Sequence, residues 1–229
     1  MTRNNEILVL KLSGGLFFSE SFDGVAKSIK EALEKRKELK LVLIAGGGLK
    51  AREYIKIASD KGADAATMDE IGISVSRINA RILATSLQQF SEAKVPESLG
   101  ELVESVRANR AVVIGGLHPG QSTNAVAALV AEKLRARRFI NATDVDGVHS
   151  RDPRKFKDAK RIDRLTPKEL EKIIGEESMH PGAYDLMDPV ALKLVERSKI
   201  DTWIIKCEPK FIEAALNDKR IGGTEIIFS

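Results

Sequence analysis

Cysteine, histidine and aromatic residues are scarce in this sequence. A single cysteine, Cys207, excludes a disulfide within the chain, and the three histidines have no zinc-ligand spacing with it. Aromatic side chains make up 5% of the residues, and the 37 lysines and arginines are interleaved with 33 acidic residues instead of forming a basic stripe. The sequence therefore predicts neither a structural metal nor nucleic acid as a partner. The net charge of +4 suits small anionic ligands better.

Long apolar runs are missing as well. The first run, residues 7–10, ends at Lys11, so we predict neither a signal peptide nor a membrane span, and a cytoplasmic location. Hydrophobic residues nevertheless make up 43% of the 229 residues, which is enough to build a packed core. Length and composition therefore predict a globular protein of one large or two small domains.

Apolar segments typical of strands alternate with segments of helical periodicity. Thr166 and Glu169 form a capping box, Asp188 is placed to cap another helix, and Ser21 is a candidate cap for the first. We predict strands at residues 6–12, 41–45, 111–114, 139–142, 202–206 and 225–228, and helices at residues 22–37, 49–61, 69–90 and 122–134, with further helices starting at Pro167, at Pro189 and after Pro209. This alternation predicts an α/β fold with a mostly parallel sheet.

Three glycine clusters each follow an apolar run. They are Ser13-Gly14-Gly15, Gly46-Gly47-Gly48 and the segment 115–120. A glycine turn after a strand lets main-chain N–H groups converge on an anion, and the next helix adds the positive end of its dipole. In a parallel sheet these turns lie at the same edge, so we predict one cleft for two phosphorylated ligands, as in a phosphoryl transferase. The sequence contains neither a P-loop motif nor the glycine fingerprint of dinucleotide-binding folds.

Lys11 and Arg52 are the candidate phosphate-binding cations. Lys11 ends the first predicted strand just before the glycines, where its ammonium can stabilise charge on a transferred phosphoryl group. A lysine that extends from a strand end into solvent is the alternative. Arg52 lies one turn into the helix that follows Gly48, and its alternative is a solvated helix residue. For the glycines, the alternative is a tight turn between a strand and a helix.

Together these motifs resemble the amino acid kinase superfamily, and within it the archaeal-type uridylate (UMP) kinases. The resemblance runs nearly from end to end, and no single motif would carry it. The motifs are Lys11-Leu12-Ser13-Gly14-Gly15, Gly46-Gly47-Gly48 with Arg52, Asp69-Glu70-Ile71-Gly72, Pro119-Gly120-Gln121-Ser122-Thr123, and residues 141–148 followed by Arg151-Asp152-Pro153.

The resemblance implies a three-layer α-β-α sandwich around a mostly parallel sheet, formed by a single domain over residues 1–229. Its acceptor-binding lobe would span about residues 1–136 and its ATP-binding lobe about residues 137–229. It further implies transfer of the γ-phosphoryl group of ATP to UMP, with Mg²⁺ bound to ATP, in pyrimidine nucleotide synthesis. A homo-oligomer, specifically a homohexamer, is also implied.

The resemblance also implies roles for individual residues, with Lys11 as the catalytic cation and no residue assigned to a metal. The residues implied for ATP are Gly14, Gly15, Gly48, Arg52, Thr143, Asp144, His149 and Asp152, and those implied for UMP are Gly47, Asp69, Leu117, His118, Pro119, Gly120, Gln121, Ser122 and Thr123. Judged from the residues alone, Asp69 is also a candidate helix N-cap, and the segments 119–123 and 146–147 also read as ordinary turns.

Two positions differ from those of many relatives, and a third has two possible roles. His149 stands where relatives usually have Tyr, so a ring can still stack on a base. Asn124 stands where many relatives have Asp, which removes a carboxylate able to orient cations. Asp188 matches an acidic position that the family places near the transferring phosphoryl group, but it also suits the N-cap of the helix at Pro189.

Two alternative functions remain open at this point. One is a sister kinase acting on a carboxylate, carbamate or isopentenyl phosphate, and the other is a nucleotide-binding storage or regulatory subunit without turnover. Asp69 and the segment 119–123 favour a nucleotide as the acceptor, whereas Lys11 argues against a subunit without turnover.

Overall fold

The computed structural model describes residues 6–177 and 186–228, which form one sheet covered by helices. The strands are β1 (Glu6–Leu12), β2 (Leu39–Ala45), β3 (Ala111–Ile114), β4 (Arg138–Thr143), β5 (Arg164–Leu165), β6 (Asp201–Lys206) and β7 (Thr224–Ile226). The sheet order is β3-β2-β1-β4-β6-β7-β5, and β7 runs antiparallel to β6 while the other neighbouring strands are parallel. β1 therefore lies in the interior of the sheet, between β2 and β4.

Helices cover both faces of this sheet. They are α1 (Ser21–Lys35), α2 (Gly48–Asp60), α3 (Ala65–Ser86), α4 (Leu99–Ala108), α5 (Thr123–Lys133), α6 (Pro167–Glu177), α7 (Pro189–Ser198) and α8 (Pro209–Leu216). Side chains of β1 point alternately to the two faces, so Leu8 and Leu10 share a core with α1, α3 and α8, whereas Val9 shares one with α5 and α7. The three-layer α-β-α sandwich is therefore confirmed. Within the described residues no helix combines the length and the apolarity that crossing a membrane requires.

The elements differ from the sequence-based predictions in a few places. All predicted strands are present with slightly shifted ends, but a 3₁₀ turn at Gly14–Phe18, the helix α4 and the strand β5 were not predicted. Helix α3 begins at Ala65 because the Oδ1 atom of Asp64 accepts a hydrogen bond from the main-chain N–H of Thr67 at 2.8 Å. The alternative prediction of Asp69 as an N-cap is wrong, since Asp69 lies inside this helix.

The predicted caps of two later helices are confirmed. At α6 the Thr166 N–H donates to Glu169 Oε2 at 2.7 Å, and the Glu169 N–H donates to Thr166 Oγ1 at 3.3 Å, which is a capping box. At α7 the Oδ1 atom of Asp188 accepts a hydrogen bond from the N–H of Val190 at 3.0 Å. The prediction of Ser21 as a cap is wrong, because Ser21 is the first residue of α1.

The sheet is continuous across the predicted lobe boundary near residue 137. β1 pairs directly with β4, and this register places Lys11 beside Asn141. Each core also contains residues from both sides of the boundary. The assignment of acceptor and ATP to separate lobes remains a prediction.

Candidate active site

A cleft of about 900 Å³ opens at the carboxyl ends of β1, β2 and β4. Ligands of parallel α/β sheets bind at this edge, because the turns after the strands and the N-termini of the helices converge there. The residues implied by the resemblance that line this cleft are Lys11, Gly14, Gly47, Gly48, Arg52, Ser122, Thr123, Thr143 and Asp144. The structure thus brings together the implied catalytic lysine, two of the three glycine clusters and residues implied for both substrates.

The first two glycine clusters touch each other through their main chains. A Cβ atom on Gly14 would lie 2.1 Å from the N atom of Gly48, and one on Gly48 would lie 2.5 Å from the carbonyl carbon of Gly14. Gly48 also has a φ of +66°, in the left-handed region that favours glycine. The Gly46 N–H donates to the Leu12 carbonyl at 3.0 Å, which ties the second turn to the end of β1. Only glycine at positions 14 and 48 lets the two turns approach this closely.

The third glycine cluster has a different local role. The Gly116 N–H donates to Ser76 Oγ of α3 at 2.7 Å, and a Cβ on Gly115 would lie 2.7 Å from the N atom of Arg77. These two glycines allow β3 and α3 to pack closely and do not line the cleft. The prediction that all three clusters line one cleft is therefore supported by the first two only.

Arg52 and Lys11 approach the cleft from different elements. Arg52 projects from the second turn of α2 and is exposed, and within the described part of the chain no carboxylate forms an ion pair with it. Lys11 is half-buried near the end of β1, next to the glycine turns. A guanidinium and an ammonium that face the same cleft favour binding of a phosphate group.

Asp69 contacts the loop that connects β3 with α5. Its Oδ2 atom accepts a hydrogen bond from the Gly120 N–H at 2.7 Å, and Gly120 has a φ of +80°. In the same loop, the Gln121 N–H donates to the His118 carbonyl at 3.3 Å, and Leu117 is buried. The remaining loop residue is Pro119, which is exposed. Asp69 and residues 117–121 therefore form one neighbourhood beside the cleft, although none of them lines it.

Ser122 caps helix α5 at the wall of the cleft. Its Oγ atom accepts hydrogen bonds from the N–H groups of Asn124 and Ala125, both at 3.0 Å, and donates one to Asp188 Oδ2. Asp188 also lines the cleft and caps α7, so it is both an N-cap and a residue of the site. The N-termini of two helices, with the positive ends of their dipoles, thus face the cleft.

Arg154, which was not predicted as a site residue, lines the cleft together with Asp144 and links it to Asp152, which lines neither this cleft nor the smaller cavity beside it. Its guanidinium forms a bidentate pair with Asp152 through two contacts of 3.0 Å, and its Nη1 atom donates to Asp144 Oδ2, also at 3.0 Å. The Arg154 guanidinium holds the pKa of the fully buried Asp152 below its ordinary value. At the end of β4, Thr143 Oγ1 donates to Asp144 Oδ1 at 3.0 Å.

A second cavity of about 380 Å³ adjoins this group. Asp144 and Arg154 line both cavities, so they lie at the junction of the two. The smaller cavity is also lined by Lys206, Lys210 and Phe211. A ligand with an aromatic part and a phosphate part can extend from the smaller cavity past Arg154 into the larger one.

His149 and Gly15 lie outside the lining of both cavities. The His149 ring is 8% exposed, and its Nε2 atom lies 2.8 Å from Asp146 Oδ1. Burial opposes ionisation of Asp146, but hydrogen bonds from His149 and Arg161 hold the pKa of this aspartate below its ordinary value. The prediction that His149 stacks on a base stays a prediction.

The single cysteine of the chain, Cys207, lies near Lys11. Burial raises the pKa of its thiol to about 11, although the nearby Lys11 charge and a contact with the Ser13 main chain act in the opposite direction. The thiol therefore stays protonated at neutral pH and is a poor nucleophile.

The comparisons with known proteins identify the family of this chain. Residues 6–206 match the model of the amino acid kinase family, and the chain belongs to this family. The uridylate kinase of Sulfurisphaera tokodaii is 44% identical over 197 residues, 84% of this chain and 86% of that protein. The uridylate kinase of Methanococcus aeolicus is 38% identical over 220 residues, 94% of this chain and 97% of that protein. The crystal structure of uridylate kinase from Archaeoglobus fulgidus matches with a TM-score of 0.85 at 38% identity, covering 96% of this chain and 99% of that chain.

Proposed function

We propose that this chain is a uridylate kinase that transfers the γ-phosphoryl group of ATP to UMP and releases ADP and UDP. The observation that carries the proposal is the cleft in which Lys11 and Arg52 adjoin the touching turns of Gly14 and Gly48. The similarity to archaeal uridylate kinases over most of the chain supports UMP as the acceptor. Because UDP is the precursor of the other pyrimidine nucleotides, the enzyme acts in pyrimidine nucleotide synthesis.

Lys11 and the glycine turns act on the transferred group. A phosphate oxygen of UMP attacks the γ-phosphorus in line, while the bond from that phosphorus to the bridging oxygen of ADP breaks. The transition state spreads negative charge over the equatorial oxygens, so catalysis depends on positioned cations and N–H donors. The Lys11 ammonium and the N–H groups at Gly14 and Gly48 supply them, and Arg52 holds the phosphates of ATP from α2. No covalent enzyme intermediate is needed.

UMP binds at the side of α3 and α5. The N-terminus of α5, with Ser122 and Thr123, receives its phosphate, because the side-chain hydroxyl of Thr123 and the positive end of the helix dipole favour an anion there. Asp69 binds the ribose hydroxyls, and its hydrogen bond with Gly120 holds the loop of residues 117–121 near the nucleoside. Gly47 contacts UMP from the second glycine turn. The hydrogen bond between Asp69 and Gly120 supports this role, since it holds the loop beside the cleft.

ATP binds across the two cavities. Its nucleoside occupies the smaller cavity beside Asp144, and its phosphates pass Arg154 toward Gly15 and Lys11. Thr143 and Asp144 contact the ribose and base. Asp152 orients Arg154 through their bidentate pair, and His149 supports the same loop through Asp146.

Mg²⁺ enters with ATP as part of the substrate. Within the described ranges no group of three or more His, Cys, Asp or Glu side chains is arranged to hold a metal ion. Two carboxylates that line the cleft, Asp144 and Asp188, already accept hydrogen bonds from Arg154 and Ser122 respectively. This donor set fits a Mg²⁺ that keeps most of its water and binds mainly to phosphate oxygens, where it neutralises their charge.

The enzyme acts in the cytoplasm as a homo-oligomer, a hexamer, without a nucleic acid or membrane partner. Ile78 and Ile82 of α3, one turn apart, support self-association, since their side chains are 56% and 46% exposed. Light scattering on the purified chain measures the mass of the assembly directly. A mass equal to that of the 25.1 kDa monomer would refute the oligomer.

The substrate assignment is tested by ADP release with ATP and Mg²⁺ against UMP, CMP, AMP, GMP, isopentenyl phosphate and carbamate. We expect turnover with UMP and little with the other acceptors. The variant Lys11→Ala should lower kcat by about 1000-fold or more while ATP binding, measured by calorimetry, is retained. Lys61→Ala, an exposed lysine at the far end of α2, is the matched control and should keep the wild-type rate.

Other outcomes of the same assay have distinct meanings. Turnover with another acceptor would keep the fold and the ATP side of the cleft but reject the role of Asp69. ATP binding without turnover for any acceptor would refute the kinase and favour a nucleotide-binding subunit.

A further inference from the structure

Two buried asparagines lie at the cleft, and neither has a role in the proposed mechanism. Asn141 of β4 is 0% exposed, and Asn124 in the first turn of α5 is 7% exposed. Their Nδ2 atoms donate to the same acceptor, the main-chain carbonyl oxygen of Leu186, at 2.7 Å from Asn141 and 3.4 Å from Asn124. This shared carbonyl fixes both amide groups, because a flipped amide would place its oxygen against the oxygen of Leu186.

Among the residues that the structure describes, no donor contacts the oxygen atom of either amide. Neither Asn141 Oδ1 nor Asn124 Oδ1 accepts a hydrogen bond from a described residue, although both atoms are buried. Buried acceptors in native proteins nearly always have a partner, so an orphaned pair side by side points to a donor that arrives or moves during function. Asn124 lines the cleft itself, as does Lys11.

The sheet register places Asn141 next to Lys11. The two residues are paired in the parallel ladder between β1 and β4, so their side chains leave the same face of the sheet. Val9 and Phe139 lie two residues before Lys11 and Asn141, so their side chains leave the same face of the sheet. Both belong to the core between the sheet and helices α5 and α7. Lys11 and Asn141 thus share the face from which α5 presents Asn124.

We propose that Asn141 is a positioning residue for phosphoryl transfer, in which its Oδ1 atom accepts a hydrogen bond from the Lys11 ammonium when both substrates fill the cleft. This inference rests on the proposed kinase function. An ammonium has three donors, so it can contact the transferred phosphoryl group and an amide oxygen at the same time. A neutral amide orients the ammonium and leaves its full charge for the phosphoryl oxygens, whereas a carboxylate in that place would offset part of the charge.

Several charged groups surround Lys11 and bear on any pH dependence of the reaction. The charged residues that line the cleft with Lys11 are Arg52 of α2, Asp144 after β4, Arg154 of the following loop, Glu171 of α6 and Asp188 at the start of α7, whereas α5 contributes only uncharged residues. The charge of Lys11 also acts to lower the pKa of the Cys207 thiol, which follows β6. A substitution at position 141 leaves all of these unchanged.

The test compares Asn141→Leu and Asn141→Asp with Thr202→Val in steady-state kinetics and pH–rate profiles. Asn141→Leu keeps the side-chain shape and should lower kcat roughly 10- to 100-fold, with KM for ATP and UMP changed by less than about threefold. The alkaline limb of the kcat profile should move to lower pH in Asn141→Leu and to higher pH in Asn141→Asp. A carboxylate next to the ammonium favours its charged form, and an apolar neighbour disfavours it.

Thr202→Val is the matched control for the loss of a buried polar group. Thr202 is 0% exposed, and its Oγ1 atom donates to the Ile200 carbonyl at 2.7 Å at the start of β6, the opposite end of the sheet. The control should keep the wild-type kcat and alkaline limb. If only one of the two Asn141 variants folds, the direction in which its alkaline limb moves still tests the inference.

Two results would overturn the inference. If the wild-type chain phosphorylates UMP but the alkaline limb of both Asn141 variants stays at its wild-type position, Asn141 has a structural role only. An inactive wild-type chain would reject the proposed function, and the inference falls with it. The wild-type rate therefore distinguishes the two failures.

Discussion

The Asp188 carboxylate joins two helices, because its Oδ2 atom accepts a hydrogen bond from the Ser122 hydroxyl while its Oδ1 atom caps α7. Ser122 is itself the N-cap of α5. One contact between a hydroxyl and a carboxylate thus fixes the N-termini of α5 and α7 relative to each other at the wall of the cleft. This contact therefore sets the position of Thr123, the first residue of α5, in the wall of the cleft.

Replacement of Asp188 should separate its capping role from a catalytic one. Asp188→Ala removes the cap of α7 and the contact with Ser122, so we expect the free energy of unfolding to fall by about 1–2 kcal/mol. Asp188→Asn keeps a good N-cap, and its loss should be less than about 0.5 kcal/mol. Urea unfolding at neutral pH measures both values. We also expect Asp188→Asn to retain kcat within about threefold of the wild type, as a residue that acts through the cap would.

The matched control for this series is Asp64, which caps α3 and does not line the cleft. Asp64→Ala should lose stability to a similar degree as Asp188→Ala and leave kcat unchanged. A fall in kcat of about 100-fold in Asp188→Asn, with stability retained, would show instead that the negative charge itself takes part in phosphoryl transfer.

The contact between the two glycine turns gives a second prediction. A methyl group on Gly14 would meet the main chain of Gly48, which cannot move aside as a flexible side chain can. We expect Gly14→Ala to lower the free energy of unfolding by about 1–3 kcal/mol. It should also lower kcat/KM by about 100-fold or more, because the N–H groups of both turns shift. Circular dichroism melts and ADP-release kinetics measure the two effects.

Gly100→Ala is the control for this glycine substitution. Gly100 lies inside α4, and the nearest atom to an added Cβ is Ser98 Oγ at 3.8 Å, an ordinary contact. Alanine is the better helix residue, so this variant should gain about 0.5–1 kcal/mol in stability and keep its activity. Wild-type kcat/KM in Gly14→Ala would mean that the close approach of the turns is not needed for the reaction.

The sequence allowed prediction of the parallel sheet and of most of the cleft for a physical reason. Strands buried on both faces are continuous apolar runs, and β1 and β2 carry such runs directly before glycine turns. The start of α3 was missed because its cap, Asp64, precedes an exposed turn without an apolar stripe. α4 was missed because it is short and buries only Leu102 and Val106, and β5 because it has two residues.

Arg154 and Asn141 show what local patterns cannot reveal. Arg154 lies in a loop, and its partner Asp144 is ten residues away in the sequence, so only the folded chain brings them together. The neighbouring Arg151-Asp152-Pro153 motif was the one signal near it. Asn141 was part of a predicted strand, but its orphaned oxygen depends on Leu186, which reaches it from a distant segment. Side-chain partners set by tertiary contacts are therefore the part that sequence reasoning misses.

The pair formed by the buried Asp152 and the exposed Arg154 predicts how stability depends on pH. Arg154 lowers the pKa of the Asp152 carboxyl from its ordinary value of 3.8. A carboxyl with a lowered pKa in the folded state contributes its full stability above that ordinary value and loses it as the pH falls through the lowered pKa. Arg154→Met leaves the buried carboxylate without its guanidinium, so the pKa of Asp152 rises. Because the Arg154 side chain is 47% exposed, water screens part of its charge, and we expect the free energy of unfolding to fall by about 1 kcal/mol at pH 7.

Urea unfolding between about pH 2 and pH 7 tests this prediction, because the difference between wild type and Arg154→Met should shrink below about pH 4, where the carboxyl is protonated in the unfolded chain. Arg197→Met is the control, since Arg197 forms an equally bidentate pair with Glu132, with contacts of 2.8 and 2.6 Å, but its side chain is 61% exposed. Its partner Glu132 is 30% exposed whereas Asp152 is fully buried, so water screens the surface pair more completely, and the loss of Arg197 should lower stability less than the loss of Arg154 does. Equal losses in the two variants, or a loss in Arg154→Met that does not change with pH, would mean that burial of Asp152 adds nothing to the strength of its pair. The comparison thus measures what enclosure of the carboxylate contributes at the junction of the two cavities.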